Sequence, residues 1–307
     1  MTKVVATASI FCLFLSIPAH ALSNRTWVSG TGVDNASCGP IATPCRTLQY
    51  AHDQTSAGGV IDVKDSAGYG ALNITKAISI IANGVTAGLL AGSSGTAIAV
   101  SAESSDKVFL QGLTIEGAGY NNTGIRFSSG ASLTVAQCVI RAFDSGIYIS
   151  PAGGSPTITV NDTTLSANLF NAGLKYYSGT AAQTKIIMNR VIVDNNYWGI
   201  YLGVHGGSLN MQINNSVISN SGASGISTES DSFPGTLLID NTHIFNNSTG
   251  IDATNLLFLV RRSVISGNVK GVHITGSATF YSYGDNSING NSTDVQGPGT
   301  IKPAPLQ

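Results

Sequence analysis

The chain has 307 residues, with 15 Lys and Arg, 16 Asp and Glu and 36 Gly, so only 10% of it is charged. Ordinary globular chains hold roughly 25% charged residues and about 7% Gly, and coiled coils or helical repeats draw about half their residues from Ala, Glu, Lys, Leu and Arg. Those helical classes are excluded, and a formal net charge of −1 offers no basic face to nucleic acid.

Residues 1–21 read as a secretory signal peptide. Lys3 supplies the positive start, an apolar stretch runs from Val4 to Pro18, and Ala19, His20 and Ala21 match the small-x-small cleavage pattern. The stretch is shorter than the ~20 residues a membrane span needs, and no second run follows. A secreted chain, extracellular or periplasmic and without a membrane span, is the expectation.

Residues 22–59 are expected to cap the fold. Cys38 and Cys45 flank a short loop, and in an exported chain that spacing predicts a disulfide contributing roughly 2–3 kcal/mol. A metal pair is the alternative, but no His or second Cys pair stands nearby, and neither a metal site nor a cofactor motif is predicted. Cys138 is left over as a buried thiol. The segment from Arg46 to Thr55 is the one plausible helix of the mature chain, placed to close the first coil of an open stack. Val60–Val63, Leu72–Ile74, Ile78–Ile81 and Ala97–Val100 read as strands.

From residue 60 to 296 the chain repeats. A Gly followed by an aliphatic residue recurs at Gly124, Gly146, Gly173, Gly199, Gly225, Gly250 and Gly271, at intervals of 22, 27, 26, 26, 25 and 21 residues. An aliphatic anchor precedes each Gly: Ile115, Ile140, Leu165, Ile192, Ile218, Ile244 and Ile265, with Ile288 continuing the series. Short alternating runs such as Ser132–Val135, Thr157–Val160 and Leu209–Ile213 lie between. Period-two alternation bounded by Gly and Asn is the strand signal. Each repeat thus holds about three short strands that cannot bury an apolar side alone, and stacking them gives one continuous core. The fold class predicted is all-β: a parallel β-helix with coils about 4.8 Å apart and a short N-terminal capping helix. Asn168, Asp194, Asn195, Asn220, Asn246, Asn247, Asn268 and Asn291 follow the anchors, as expected of a turn ladder near the left-handed region. Residues 297–307, holding three Pro, are expected to form a loose tail.

Several segments carry a resemblance: Trp27 to Gly30, Cys38 with Pro44 to Gln49, Gly58 to Val63, Tyr69 and Gly70, Ile74 to Ile80, and the Gly-aliphatic coils. Together they resemble the right-handed parallel β-helix proteins of the pectate-lyase-like superfamily, among them secreted bacterial members, over nearly the whole mature chain. The resemblance implies the fold and, with the general crossover preference, its handedness. It does not imply an activity. Asp240-Asn-Thr242 and Val204-His205-Gly206 fall short of the polygalacturonase signatures, and the clustered carboxylates of the calcium-binding pectate lyases are missing.

Function is therefore sought in outward columns. Two residues after each repeat Gly lie Arg126, Tyr148, Lys175, Tyr201, Ser227, Asp252 and His273, and two further on lie Ser128, Ser150, Tyr177, Gly203, Glu229, Thr254 and Thr275. Arg126, Tyr148, Lys175, Tyr176, Tyr177 and Tyr201 would offer rings to apolar sugar faces and cations to acidic sugars. A polysaccharide or cell-surface glycan is the partner expected. An enzyme is the alternative: a polysaccharide lyase with Lys175 or Arg126 as base, or an inverting hydrolase with Glu229 and Asp252 as its acid–base pair. Strand and coil spacings put those carboxylates on the order of 8 Å apart, within the roughly 6.5–9.5 Å of inverting enzymes, with His273 one coil beyond to hold Asp252. A structural or adhesive surface protein is the third reading. Asp240, His243 and the Arg261–Arg262 pair read as structural, and nothing in the sequence orients His205.

Overall fold

The computed structural model describes residues 22–91, 95–229 and 234–304, so the expected signal peptide lies outside the described residues. One sheet holds twelve strands in parallel succession, from Ser23–Val28 and Thr55–Val63 through Thr157–Asn161, Gln183–Asn189 and Ser208–Asn214 to Thr279–Ser282 and Ile301–Pro303. The remaining strands close the other sides, and each coil pairs with the equivalent strands of the next. This is a parallel β-solenoid. Alternation sets its core: Ile158, Ile186, Met211, Leu237, Phe258 and Phe280 occupy successive registered positions and are buried. Phe258 and Phe280 stack with centroids 5.6 Å apart.

The helix spans Leu48–Gln54 and packs on Ser23–Val28, Thr55–Val63 and Leu72–Ile74. The Thr47 hydroxyl caps it by accepting from the Tyr50 N–H, and Asp34 accepts from the Thr47 N–H and hydroxyl. Leu48 and Ala51 are fully buried beneath it, so the helix covers the first coil. The Cys38–Cys45 disulfide forms, with the Cα atoms 4.9 Å apart.

The sheet runs through both expected boundaries. Ser23–Val28 pairs with Thr55–Val63 inside the expected cap. At the other end the tail is not loose: Ile301–Pro303 pairs with Thr279–Ser282, and Ile301 packs on the core. A second correction concerns the anchors. Leu165 pairs with Val193 and Val193 with Ile218, so Val193 is the buried anchor and Ile192 faces outward, 48% exposed. Adjacent aliphatic residues leave the phase of a three-residue strand open, and a one-residue slip reverses the faces.

The turn after the anchor has two layers. Ala142, Ala167, Asn195, Asn220 and Asn246 take φ between 53 and 62°, the left-handed turn position. The next residue turns inward as a buried amide ladder. The Asn196 Oδ1 accepts from the N–H and Nδ2 of Asn168, Asn268 does the same for Asn247, and Asn291 for Asn268. The repeat Gly exists for this ladder. A Cβ on Gly173 would sit 2.9 Å from the Gly199 carbonyl oxygen and 3.1 Å from Asn196 Nδ2, so the backbone approach leaves no room for a side chain. The opposite corner carries a hydroxyl ladder. The N–H groups of Cys138, Val191 and Thr242 donate to the hydroxyls of Thr163, Ser216 and Ser263. Cys138 stands in that column, and burial pushes its thiol up to about 11.

Candidate functional site

The outward column forms in the register expected. Arg126 and Tyr148, Tyr148 and Lys175, Lys175 and Tyr201, Tyr201 and Ser227, Ser227 and Asp252, and Asp252 and His273 are paired neighbours on successive coils. Lys175 stands among three rings. Its Nζ lies 5.4 Å from the Tyr148 centroid, 5.9 Å from Tyr177 and 5.6 Å from Tyr201, within reach of cation–π attraction to each. The Arg126 guanidinium lies 5.2 Å from the other neighbour of the series, the Tyr148 ring. Tyr176 is the exception. It is fully buried, and its hydroxyl donates to Thr184 Oγ1 at 3.1 Å. Alternation decides this: Lys175 and Tyr177 face out, so Tyr176 must face in.

Glu229 joins this group by bending back one coil. A Cβ on Gly203 would stand 2.6 Å from Glu229 Oε2 and 2.9 Å from Tyr177 Cδ2, so the missing side chain at Gly203 makes the space the carboxylate fills. The Tyr201 hydroxyl donates to Glu229 Oε1. Oε2 is buried, makes no hydrogen bond among the described residues, and lies 3.4 Å from His205 Nε2. His205 in turn meets the Tyr177 ring edge-on, centroids 4.9 Å apart. Burial, followed by the bond to the Glu229 carboxylate, raises the Tyr201 hydroxyl well above the ordinary phenol range. Tyr201 is thereby held as a proton donor, and the second Glu229 oxygen faces the His205 imidazole.

Asp252 is held differently. His273 Nδ1 lies 2.9 Å from Asp252 Oδ1 on the following coil, so the structure brings Asp252 and His273 together. Glu229 leans toward the preceding coil and Asp252 toward the following one, and each carboxylate is engaged by its own partners. Sequence reasoning passed over His205 because its partner Glu229 is 24 positions away; the signal was Gly203, a gap in a column of side chains. Trp198 was also missed. Its ring lies 4.9 Å from Tyr201 and 4.5 Å from Tyr197, centroid to centroid.

The remaining candidates take structural positions. Asp240 is clamped by Arg261 Nη2 at 2.9 Å and by Arg262 Nε and Nη2 at 2.8 and 2.6 Å. Hydrogen bonding from Arg262 holds its carboxyl below the ordinary range, against the opposing effect of burial. A groove of about 410 Å³ lies on another side of the early coils, lined by Leu89, Leu90, Glu116 and Arg141 among others, and none of the column residues lines it. Among the described residues, the one close grouping of metal-ligating types is Asp34 with Cys38 and Cys45, whose sulfurs are joined to each other. No helix of the described residues is long and apolar enough to cross a membrane.

No protein-family model matches the chain, and no curated protein matches it. Solved structures do. The pectate lyase Pel9A superposes with a TM-score of 0.52 and 15% identity, over 92% of this chain and 75% of that one. The enzymatically active domain of tailspike protein 2 from bacteriophage CBA120 gives 0.50 and 13%, over 78% of this chain and 39% of the tailspike chain. This chain therefore matches about two fifths of that domain's length. Both likenesses reside in the path of the backbone: the chain shares the parallel β-helix fold of these structures.

Proposed function

We propose that this β-helix acts outside the cytoplasm and binds an extended acidic polysaccharide along the flank from Arg126 to Tyr201. The observation that carries the reading is Lys175 ringed by Tyr148, Tyr177 and Tyr201, with Arg126 over the next ring. Rings of this kind pack on the apolar faces of sugars, and the cations favour uronates. On a chain with 15 Lys and Arg in all, two of them in one aromatic column is a concentration. The fold shared with a pectate lyase and a tailspike supports a glycan partner, and the disulfide supports an oxidising compartment. Tyr148→Ala and Tyr201→Ala should each reduce retention on an array of acidic glycans. Wild-type retention by both variants would reject the flank.

The Tyr201–Glu229–His205 group favours a second reading, a lyase acting on the bound chain. His205 would take the proton α to a uronate carboxylate, whose charge Lys175 and Arg126 offset. The released electron pair would form the ring double bond as the glycosidic C–O bond breaks, and the Tyr201 hydroxyl would protonate the departing oxygen. Solvent would restore both side chains. Rising ultraviolet absorbance from unsaturated products, lost in His205→Ala while binding persists, is the expected result. Reducing ends without that absorbance would point to hydrolysis by Glu229 and Asp252 instead.

A further inference from the structure

Where the flank turns toward the amide ladder, the chemistry changes. Leu165 and Gly173 are 8 residues apart, whereas Val193 and Gly199, Ile244 and Gly250, and Ile265 and Gly271 are each 6 apart. The extra length places Leu169 and Phe170 on the surface, each 53% exposed, and on the next coil Tyr197 is 43% exposed. Backbone bonds lock the two coils together here: the Tyr197 N–H donates to the Asn168 carbonyl and the Trp198 N–H to the Asn171 carbonyl. Tyr197 touches Trp198, Trp198 touches Tyr201, and Tyr201 touches Lys175. The aromatic track therefore runs unbroken from the cationic flank around the corner.

The corner itself carries no cation. Across residues 164–174, 191–200 and 216–226, the ionisable side chains are Asp194 and Tyr197 alone. A second uronate there would meet rings and a carboxylate. A neutral pyranose with an apolar C–H face would meet a surface of matching chemistry.

We propose that this corner is a second subsite, formed by Tyr197 and Trp198, which takes a neutral sugar adjoining the acidic one at Lys175. The ligand is then a heteropolysaccharide containing both uronate and neutral hexose. This rests on the flank reading above and adds the neutral position to it. Exposed aromatics on a monomer can also mark an interface, so the test must separate a sugar from a second copy of this chain.

Three probes serve: a uronate homopolymer, a neutral hexose polymer, and a polymer alternating the two, titrated against the full chain at several salt concentrations. Tyr197→Ala should weaken binding of the alternating polymer by roughly three- to tenfold, the scale of one aromatic contact. It should leave the uronate homopolymer and the salt dependence unchanged. Trp198→Phe, which keeps a ring beside Tyr201, should bind at an intermediate level. Lys175→Ala should weaken both charged polymers and flatten the salt dependence. If Tyr197→Ala binds the alternating polymer like wild type while Lys175→Ala does not, the corner subsite is refuted and the flank stands. If Lys175→Ala also binds like wild type, the flank reading fails. A change in sedimentation mass in Tyr197→Ala without a change in glycan binding would assign the patch to self-association and overturn the subsite.

Discussion

Ser221 is the broken rung of the amide ladder. It stands where neighbouring coils carry Asn196 and Asn247, three residues beyond the buried anchor. Its hydroxyl is buried and makes no hydrogen bond among the described residues, whereas Asn196, Asn268 and Asn291 each accept two through Oδ1, as Asn268 does from the N–H and Nδ2 of Asn247 at 2.9 and 3.0 Å. The same repeat Gly lies beside each rung. A Cβ on Gly199 would stand 3.1 Å from Ser221 Oγ, and a Cβ on Gly225 would stand 3.1 Å from Asn247 Nδ2, so the two cradles match. Ser221→Asn would give the Asn196 N–H and amide an acceptor and extend a donor to the Val193 carbonyl, as Asn196 Nδ2 donates to Leu165 at 3.0 Å. Two or three buried bonds at about 0.5–1.5 kcal/mol each, less about 1 kcal/mol of side-chain entropy, give a net gain of roughly 1–2 kcal/mol. Urea unfolding should show a higher midpoint with the slope unchanged, and hydrogen exchange should slow at the Asn196 amide. A midpoint equal to or below that of wild type would refute the claim that the ladder is a continuous stabilising device in which each rung acts alike.

Other predictions follow from single contacts. In Gly203→Ala the new methyl would occupy the place of Glu229 Oε2; the flexible carboxylate should swing out, and the Tyr201 hydroxyl should titrate closer to its ordinary value in an ultraviolet pH titration. No change in the tyrosine titration would mean that Glu229 does not occupy that space. Asp240, held below its ordinary range by the arginine clamp, contributes stability at neutral pH that is lost as pH falls through its lowered folded value. Asp240→Asn should therefore lower stability at pH 7 by about 1–3 kcal/mol, the scale of hydrogen bonds to charged groups, and should remove part of the acid sensitivity. Equal pH–stability curves for variant and wild type would contradict the clamp. Cys138, buried with its thiol raised to about 11, should resist alkylation at pH 8 in the folded protein and react on unfolding in urea. Rapid modification of the native protein would contradict its place in the hydroxyl ladder.

Periodicity made the solenoid legible, because stacking forces equivalent residues into registered columns that a spacing of about 25 residues exposes. Gly was visible as a marker but not for its cause, since the close approach to the next carbonyl and to the ladder amide is a contact across coils. Alternation identified Lys175 and Tyr177 as outward, yet the inward turn of Tyr176 needed the same rule applied one residue over. Val193 and Ile192 could not be phased from composition, both being aliphatic and adjacent. The Glu229–His205 contact was hidden for a different reason: the Glu229 side chain leaves its own coil to fill the gap at Gly203, and column counting assumes that each side chain stays at its own level.

The central claim is that the column around Lys175 holds an acidic glycan. Affinity electrophoresis of wild type and Arg126→Ala/Lys175→Ala through gels containing a uronate polymer tests it most directly. Wild type should be retarded, the retardation should shrink with added salt, and the double variant should run as in a gel without polymer. Equal mobility of wild type and the double variant in the uronate gel would contradict it.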